Sequence, residues 1–90
     1  MEEFLKNGNS EKAIEIIESI PQNHREADDW YNLGLAYEAN AKSIEDYENA
    51  RRYYINALEK NPGEQIYAQG IGRCYLYLSE IKKLNKQIKN

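Results

Sequence analysis

Two side chains of this chain belong to the types that most often act as a nucleophile or as its base. The chain has one cysteine, Cys74, and one histidine, His24, among its 90 residues. A thiol becomes a nucleophile when a base lies within hydrogen-bond reach, and no histidine stands where it would activate Cys74. We therefore predict that Cys74 is a small core residue. His24 stands at a predicted helix start, and we predict that it is exposed or caps that helix.

Acidic side chains are more numerous, but their spacing does not favour catalysis. Asp28 and Asp29 are adjacent, and adjacent residues of a helix point in different directions, so they make a poor acid–base pair. Residues Glu45, Asp46 and Glu48 are interpreted as a solvated face, and the serines stand at predicted helix starts, where capping explains them. We predict that the chain is not an enzyme.

The sequence also predicts no metal or cofactor. One cysteine and one histidine are too few for a disulfide framework or a self-contained zinc site. The glycines of the segment Gly70-x-Gly72 lie inside a predicted helix, which is not the setting of a phosphate-binding loop.

Charge and hydropathy limit the classes of partner. The formal net charge is −3, whereas a nucleic-acid-binding domain is usually basic. No apolar run is long enough to cross a membrane and no signal segment opens the chain, so we predict a cytoplasmic protein that binds neither nucleic acid nor membrane. The charge is uneven: residues 1–20 carry five acids and two lysines, and residues 79–90 carry four lysines and one glutamate.

The elements that must position these residues are helices. Apolar residues recur at intervals of three and four, the period of an amphipathic helix, and no convincing strand pattern is present. The pattern predicts one all-α domain, residues 1–90, of about five helices. These helices span residues 10–20, start near 23 and near 43, and span 64–78 and 79–90, while residues 1–7 look like the end of an earlier helix.

Capping residues and apolar positions refine three of these helices. Asn23 and Glu26 have the spacing of a capping box at the start of the second helix, and Ser43 stands in the same relation to Asp46 at the start of the third. The third helix is predicted to end at the turn Asn61-Pro62-Gly63, and its inward residues are predicted to be Tyr47, Ala50, Tyr54, Ala57 and Leu58. In the fourth helix, we predict that the inward residues are Ala68, Ile71, Gly72, Tyr75 and Leu78.

One stretch of the sequence carries a specific repeat motif. Residues 30–37 match W-x-x-L-G-x-x-Y without a mismatch, and Ala50, Tyr54, Ala57 and Pro62 follow with the spacing A-x-x-x-(aromatic)-x-x-A-x-x-x-x-P. Together they resemble the tetratricopeptide repeat, a helix–turn–helix unit of about 34 residues. This chain has four extra residues between the two halves of the motif. An insertion of that length is close to one helical turn, so it either lengthens a helix or enlarges the loop around residues 40–44.

The flanking segments repeat the pattern in part. Upstream, the residues Phe4, Gly8, Ala13, Ile17 and Ile20 have the spacing of the family's aromatic, turn and second-helix positions. Downstream, the residues Ile71, Gly72, Cys74 and Tyr75 repeat Leu33, Gly34, Ala36 and Tyr37 at a constant offset of 38. The resemblance divides the chain into a partial repeat (1–22), a complete repeat with a four-residue insertion (23–62) and a degenerate terminal repeat with a lysine-rich capping helix (63–90). The sequence leaves open whether the chain is a piece of a longer array.

The resemblance implies a fold and a type of site. Members of the family stack antiparallel helix pairs into a right-handed solenoid, whose first helices line a concave groove that binds peptides. Carried over by position, the groove would pair Tyr31 with Gln69 and Leu35 with Arg73, and Arg73 would be placed to hold a ligand carboxylate through two hydrogen bonds. The full set of predicted groove residues is Asp28, Tyr31, Asn32, Leu35, Glu38, Gln69, Arg73 and Tyr77.

Two functional interpretations follow. The first is a protein-interaction module, a scaffold or adaptor that holds a protein or peptide segment in this groove. A chaperone-tail clamp is not favoured, because only Asn32 matches the family's set of clamp residues, and Ile66 and Gly70 stand where basic side chains are needed. The alternative is a structural spacer or self-association element, whose acidic first end and basic last end stack head to tail into a weak homo-oligomer.

Overall fold

The computed structural model describes residues 10–89, together with the side chains of residues 10–87, and this part of the chain contains α-helices and no strand. Four α-helices lie within residues 10–89: α1 (Ser10–Glu18), α2 (Ala27–Ala39), α3 (Ile44–Lys60) and α4 (Gln65–Lys89). The all-α prediction is confirmed. The earlier helix predicted over residues 1–7 lies outside the described residues.

The connection between α1 and α2 differs from its prediction. Helix α1 ends at Glu18, and a single 3₁₀ turn, Gln22–His24, precedes α2. Helix α2 starts one residue after Glu26, whose backbone N–H donates to the carboxylate of Asp29 at 2.9 Å. The capping box predicted at Asn23 is therefore wrong by one turn, because the 3₁₀ turn occupies the residues that follow Pro21. His24 is exposed, as predicted.

Arg25 fixes the end of α1 to the start of α2. Its guanidinium donates to the backbone carbonyl of Ile20 at 2.9 Å and to that of Glu18 at 3.3 Å. It also lies 4.9 Å from the centre of the Trp30 ring. The last carbonyls of a helix lack partners within the helix and attract cations, so a buried arginine is stable here despite its charge.

The segment between the two halves of the motif is mostly helical. The connection between α2 and α3 is short, residues 40–43, and α3 has 17 residues against the 13 of α2. Ser43 caps α3 as predicted, and its hydroxyl accepts from the N–H of Asp46 at 3.4 Å. The first turn of α3 carries Tyr47.

Tyr54 occupies the centre of the packed helices. Its side chain is fully buried between α2 and α4. A Cβ at Gly34 would lie 2.7 Å from this ring, and a Cβ at Gly70 would lie 2.8 Å from it. Both distances are far below a van der Waals contact, so α2 and α4 can approach α3 closely only because glycine stands at both positions. Cys74 is buried beside Tyr54, which confirms its predicted core position.

Helix α4 overturns two predictions. It runs without a break from Gln65 to Lys89, so the predicted fourth and fifth helices are one. Its buried residues are Tyr67, Gly70, Cys74 and Leu78, and Ile71 is half-buried. The predicted inward residues Ala68, Gly72 and Tyr75 are exposed. The physical reason is that α4 packs on α3 with one face, and none of the described residues folds back onto its opposite face.

Candidate functional site

The predicted groove residues lie along the neighbouring helices α2 and α4. Asp28, Tyr31, Asn32, Leu35 and Glu38 follow one another along α2. The other three, Gln69, Arg73 and Tyr77, are spaced by four along α4. Residues spaced by three and four share one face of a helix. We call the surface formed by these two rows, together with the side chains of α3 that contact them, the α2–α4 groove.

Two tyrosines and an aspartate meet at one end of the α2–α4 groove. The ring of Tyr31 lies 5.3 Å from the ring of Tyr67 and 5.7 Å from that of Tyr54, measured between centroids. The hydroxyl of Tyr67 donates to Asp28 at 2.7 Å. Burial and this hydrogen bond to a carboxylate raise the pKa of Tyr67 to about 12, so its hydroxyl stays a donor at neutral pH.

The centre of the α2–α4 groove holds a charged pair. The guanidinium of Arg73 donates two hydrogen bonds to the carboxylate of Glu38, at 2.9 Å and 3.0 Å. The hydroxyl of Tyr54 donates to the same carboxylate at 2.5 Å. Glu38 therefore accepts three hydrogen bonds, and its side chain is only 13% exposed.

Both partners of Glu38 have their protonated forms stabilised. The pKa of Tyr54 is raised well above its usual value, first by burial and then by the hydrogen bond to Glu38. The pKa of Arg73 is also raised, chiefly by its hydrogen bonds to Glu38. The central pair is thus a permanent arginine–carboxylate fork with a protonated tyrosine beside it.

The far end of the α2–α4 groove is aromatic. The rings of Tyr47 and Tyr77 lie 5.1 Å apart, and Tyr77 remains 42% exposed. Tyr47 belongs to the first turn of α3, so this turn supplies one wall of this end. An exposed ring held in place by a second ring is a pre-ordered apolar contact, which costs little conformational entropy when a partner covers it.

A shallow recess opens beside the first end of the α2–α4 groove. Its volume is about 510 Å³, and it shares Asp28 and Tyr67 with that end. The rest of its wall comes from the start of α2, the end of α3 and the turn that follows α3, with charges of both signs from Arg25, Glu26, Lys60 and Glu64. A partner segment lying in the groove would have room for one or two further side chains here.

The structure shows contacts across the α2–α4 groove that the repeat offset did not predict. The ring of Tyr31 contacts that of Tyr67, and the charged partner of Arg73 is Glu38. Leu35 is half-buried and packs against two groups of core residues, one containing Ala36 and the other containing Tyr54. Asn32 is half-buried and Gln69 is exposed. The predicted carboxylate-binding role of Arg73 is already taken by a carboxylate of the chain itself.

Sequence reasoning did not assign Tyr54, Tyr67 and Tyr47 to the groove. Tyr54 and Tyr47 were predicted as core residues. The ring of Tyr54 is buried, but its hydroxyl reaches Glu38 in the groove, and the half-buried ring of Tyr47 contacts Tyr77 there. Tyr67 follows Ile66 at the start of α4 and repeats Tyr31 at an offset of 36 instead of 38. A two-residue difference in offset turns the helix by more than half a revolution. The offset of 38 therefore assigned Tyr67 to a different face from Tyr31, and an offset of 36 would have found it.

The described residues show no other chemistry-bearing cluster. Among them, no group of histidine, cysteine, aspartate and glutamate is arranged to hold a metal ion. None of the described helices is long and apolar enough to cross a membrane. Burial raises the pKa of the Cys74 thiol to about 11, the direction that makes a thiol less reactive.

Comparison of the chain with family models, with curated proteins and with solved structures finds no match in any of the three.

Proposed function

We propose that the chain is a protein-interaction module of the tetratricopeptide type and that the α2–α4 groove binds a peptide or protein segment. The observation that carries this proposal is the line of tyrosine rings along the groove, ending at Tyr77, whose ring is exposed yet held against Tyr47. Tyrosine is enriched at binding surfaces because it offers a large contact area with a polar tip and few rotatable bonds.

The central charged pair limits the chemistry of the partner. An incoming carboxylate would have to displace Glu38 from Arg73 and leave a largely buried carboxylate without its ion-pair partner, which is costly. We therefore favour a segment that places apolar side chains on the tyrosines and is neutral or basic where it passes Asp28 and Glu38. A partner anchored by a carboxylate, the ligand group that the sequence suggested for Arg73, fits this groove poorly.

A peptide-display selection tests the proposal. Random peptides displayed on phage are selected on the native chain, and synthetic copies of the enriched peptides are titrated against variants. Tyr77→Ser removes an exposed ring from the groove, and we expect it to weaken binding about tenfold, since an interface ring is worth about 1–2 kcal/mol.

The matched control is Tyr75→Ser. Tyr75 is more exposed than Tyr77, at 62% against 42%, and lies on the same helix outside the groove, so its loss should leave the peptide affinity of the monomeric chain unchanged. Equal losses for both variants, or a selection that enriches no peptide, would remove the α2–α4 groove as the binding surface.

A further inference from the structure

The face of α4 directed away from α3 carries apolar side chains that no described residue covers. We call it the outer face of α4 and define it by Ala68, Gly72, Tyr75 and Leu76, all of which are exposed. Tyr75 and Leu76 are each 62% exposed. A Cβ built at Gly72 would meet nothing within 4 Å, whereas one built at Gly70, two residues earlier, would lie 2.8 Å from the Tyr54 ring. A glycine inside a helix costs about 1 kcal/mol relative to alanine, and no contact with the described residues offsets that cost at Gly72.

The outer face of α4 repeats the face by which α2 binds α3. At the offset of 38, Ala68, Gly72 and Tyr75 correspond to Trp30, Gly34 and Tyr37. In α2, these three residues hold α3, as their contacts show. The ring of Tyr53 lies 6.0 Å from that of Trp30 and 5.1 Å from that of Tyr37, and Gly34 lies against Tyr54.

A counterpart of α3 stands at the other end of the molecule. At an offset of 37, Ala13, Ile17 and Ile20 of the first segment correspond to Ala50, Tyr54 and Ala57 of α3. The same offset makes Ile16 the equivalent of Tyr53, the residue that fits between Trp30 and Tyr37. Ile16 is 55% exposed, so the position that should contact a helix like α2 or α4 lies open.

These two surfaces cannot meet within one molecule. Helix α1 packs on α2, and α4 packs chiefly on α3, so α2 and α3 lie between them. A second copy removes this obstacle, because its α1 can lie on the outer face of α4 of the first copy. The contact would then repeat the α2–α3 packing that the chain already forms.

The charges of the two surfaces favour the same occupant. Helix α1 carries three glutamates and one lysine, and the end of α4 from residue 79 onwards carries four lysines and one glutamate. If α1 of one copy runs antiparallel to α4 of the other with Ile16 between Ala68 and Tyr75, Glu11 lies level with about residue 77, and Lys82 follows about 8 Å further along α4, within side-chain reach. Opposite charges in this register attract, and they disfavour pairing two α4 helices or two α1 helices.

We propose that the chain self-associates head to tail, with Ile16 of one copy packed between Ala68 and Tyr75 of the next. The contact is heterologous, so each copy keeps one open surface of each kind and the assembly grows as an open chain rather than closing as a dimer. This proposal does not rest on peptide binding, because the α2–α4 groove uses a different face of α4.

Sedimentation equilibrium of the full chain and two variants tests the proposal. Ile16→Glu blocks the α1 surface and Tyr75→Glu blocks the outer face of α4, and both residues are exposed, so the fold should persist in circular dichroism. We expect the native chain to gain mass steadily with concentration beyond that of a dimer. Each variant alone should stay monomeric.

The mixture of the two variants gives the decisive result. Ile16→Glu keeps an intact outer face and Tyr75→Glu keeps an intact α1, so an equimolar mixture should form a dimer and stop there. Ile55→Glu is the matched control, because Ile55 is an exposed isoleucine, 39% accessible, on α3; it should associate like the native chain.

Three outcomes would overturn the proposal. One is a native chain that stays monomeric at every concentration. Another is self-association of Ile16→Glu alone, which would show that two α4 helices pair with each other, and the third is a mixture that stays monomeric. A second pair, Glu11→Lys and Lys82→Glu, leaves every apolar side chain in place: each should associate more weakly than the native chain, and mixing them should restore association.

The salt dependence of self-association separates the charged part of the contact from its apolar part. The charged part of the contact is screened above about 0.1 M ionic strength, so association should weaken as salt rises, and the weakening should be smaller for the Glu11→Lys and Lys82→Glu variants taken singly. A native chain whose association does not change with salt would contradict the predicted register of α1 on α4.

Discussion

Tyr54 acts at two places at once, and this explains why one residue governs both the core and the α2–α4 groove. Its ring fills the space between Gly34 and Gly70, and its hydroxyl donates to Glu38 in the groove. Glu38 in turn accepts two hydrogen bonds from Arg73. A side chain that is buried in the core and bonded at the surface holds the groove residues in one arrangement before any partner arrives, which lowers the entropic cost of binding.

Tyr67 is likewise buried in the core and bonded to a groove residue, Asp28. Its environment leads to a prediction of how the stability of the fold changes with pH. The pKa of Tyr67 is about 12 in the folded chain against an ordinary value of 10.0, because of burial and the bond to Asp28. Between these two pH values the unfolded chain has lost a proton that the folded chain keeps. The stabilisation is therefore complete below pH 10 and is lost as the pH rises towards 12.

Urea unfolding of the native chain and of Tyr67→Phe tests this prediction. At neutral pH we expect the variant to be less stable by about 1 kcal/mol, the usual value of a hydrogen bond. Above pH 10 the native chain loses the contribution of Tyr67 and the variant does not, so the difference between the two should shrink. A difference that stays constant from neutral pH to pH 12 would contradict the assigned environment of Tyr67.

At the scale of single residues, the sequence predicted burial better than it predicted bonding. Cys74 and Tyr54 are buried as predicted, because apolar periodicity reports which side chains leave water. The Glu38–Arg73 pair was not predicted: the two residues are 35 apart in sequence, and the repeat offset assigned Arg73 to Leu35 instead. Hydrogen-bond partners depend on the rotation of α4 about its axis, which a sequence offset does not determine.

The helices differ from face to face in how closely a neighbouring side chain approaches their backbone. Helices α2 and α4 both press a glycine against Tyr54, whereas Gly72, two residues beyond Gly70 on the same helix, faces open space. These two glycines are similar in sequence context and opposite in surroundings, so they make a matched pair for measurement.

Alanine at these positions should change stability in opposite directions. Gly70→Ala places a methyl group 2.8 Å from the Tyr54 ring, and we expect a loss of about 1–3 kcal/mol from overpacking. Gly72→Ala meets nothing and favours the helix, so a gain of about 0.5–1 kcal/mol is expected. Thermal unfolding monitored by circular dichroism measures both at a concentration low enough to keep the chain monomeric; a loss at Gly72 or a gain at Gly70 would mean that the assigned faces of α4 are wrong.

The elements themselves could mostly be read from the sequence. The start of α3 at Ser43 and the turn between α3 and α4 were predicted from capping residues and from Asn61-Pro62-Gly63. The predicted break between Leu78 and Ser79 is absent, since it was inferred from the repeat pattern and no proline or glycine enforces it. A repeat predicts where a turn belongs, but a continuous helix forms when nothing local ends it.

At the scale of the whole molecule, α4 has two unlike faces with two proposed uses. One side contributes Arg73 and Tyr77 to the α2–α4 groove, and the other side is the outer face of α4. Beyond Leu78, the helix continues for 11 residues, about 16 Å at 1.5 Å per residue, and residues 79–87 are exposed apart from the half-buried Ile81. An isolated helix of this length is marginal in water, and this part of α4 is helical as the continuation of the packed part of the same helix.

The two proposals can be separated in one protein. A variant carrying Ile16→Glu is expected to be monomeric and to keep its groove intact, since Ile16 lies on α1, away from every groove residue. It is therefore the form in which peptide binding should be measured, because a change in signal then reports the groove and not a change in assembly.

The most direct test of the binding proposal is amide chemical-shift mapping of the Ile16→Glu chain with a peptide enriched by display. We predict that the largest shifts fall along α2 and α4 at Leu35, Gln69, Arg73 and Tyr77. Shifts confined to Ala68, Gly72 and Tyr75 on the outer face of α4, or no shifts at all, would contradict the α2–α4 groove as the site where this chain holds its partner.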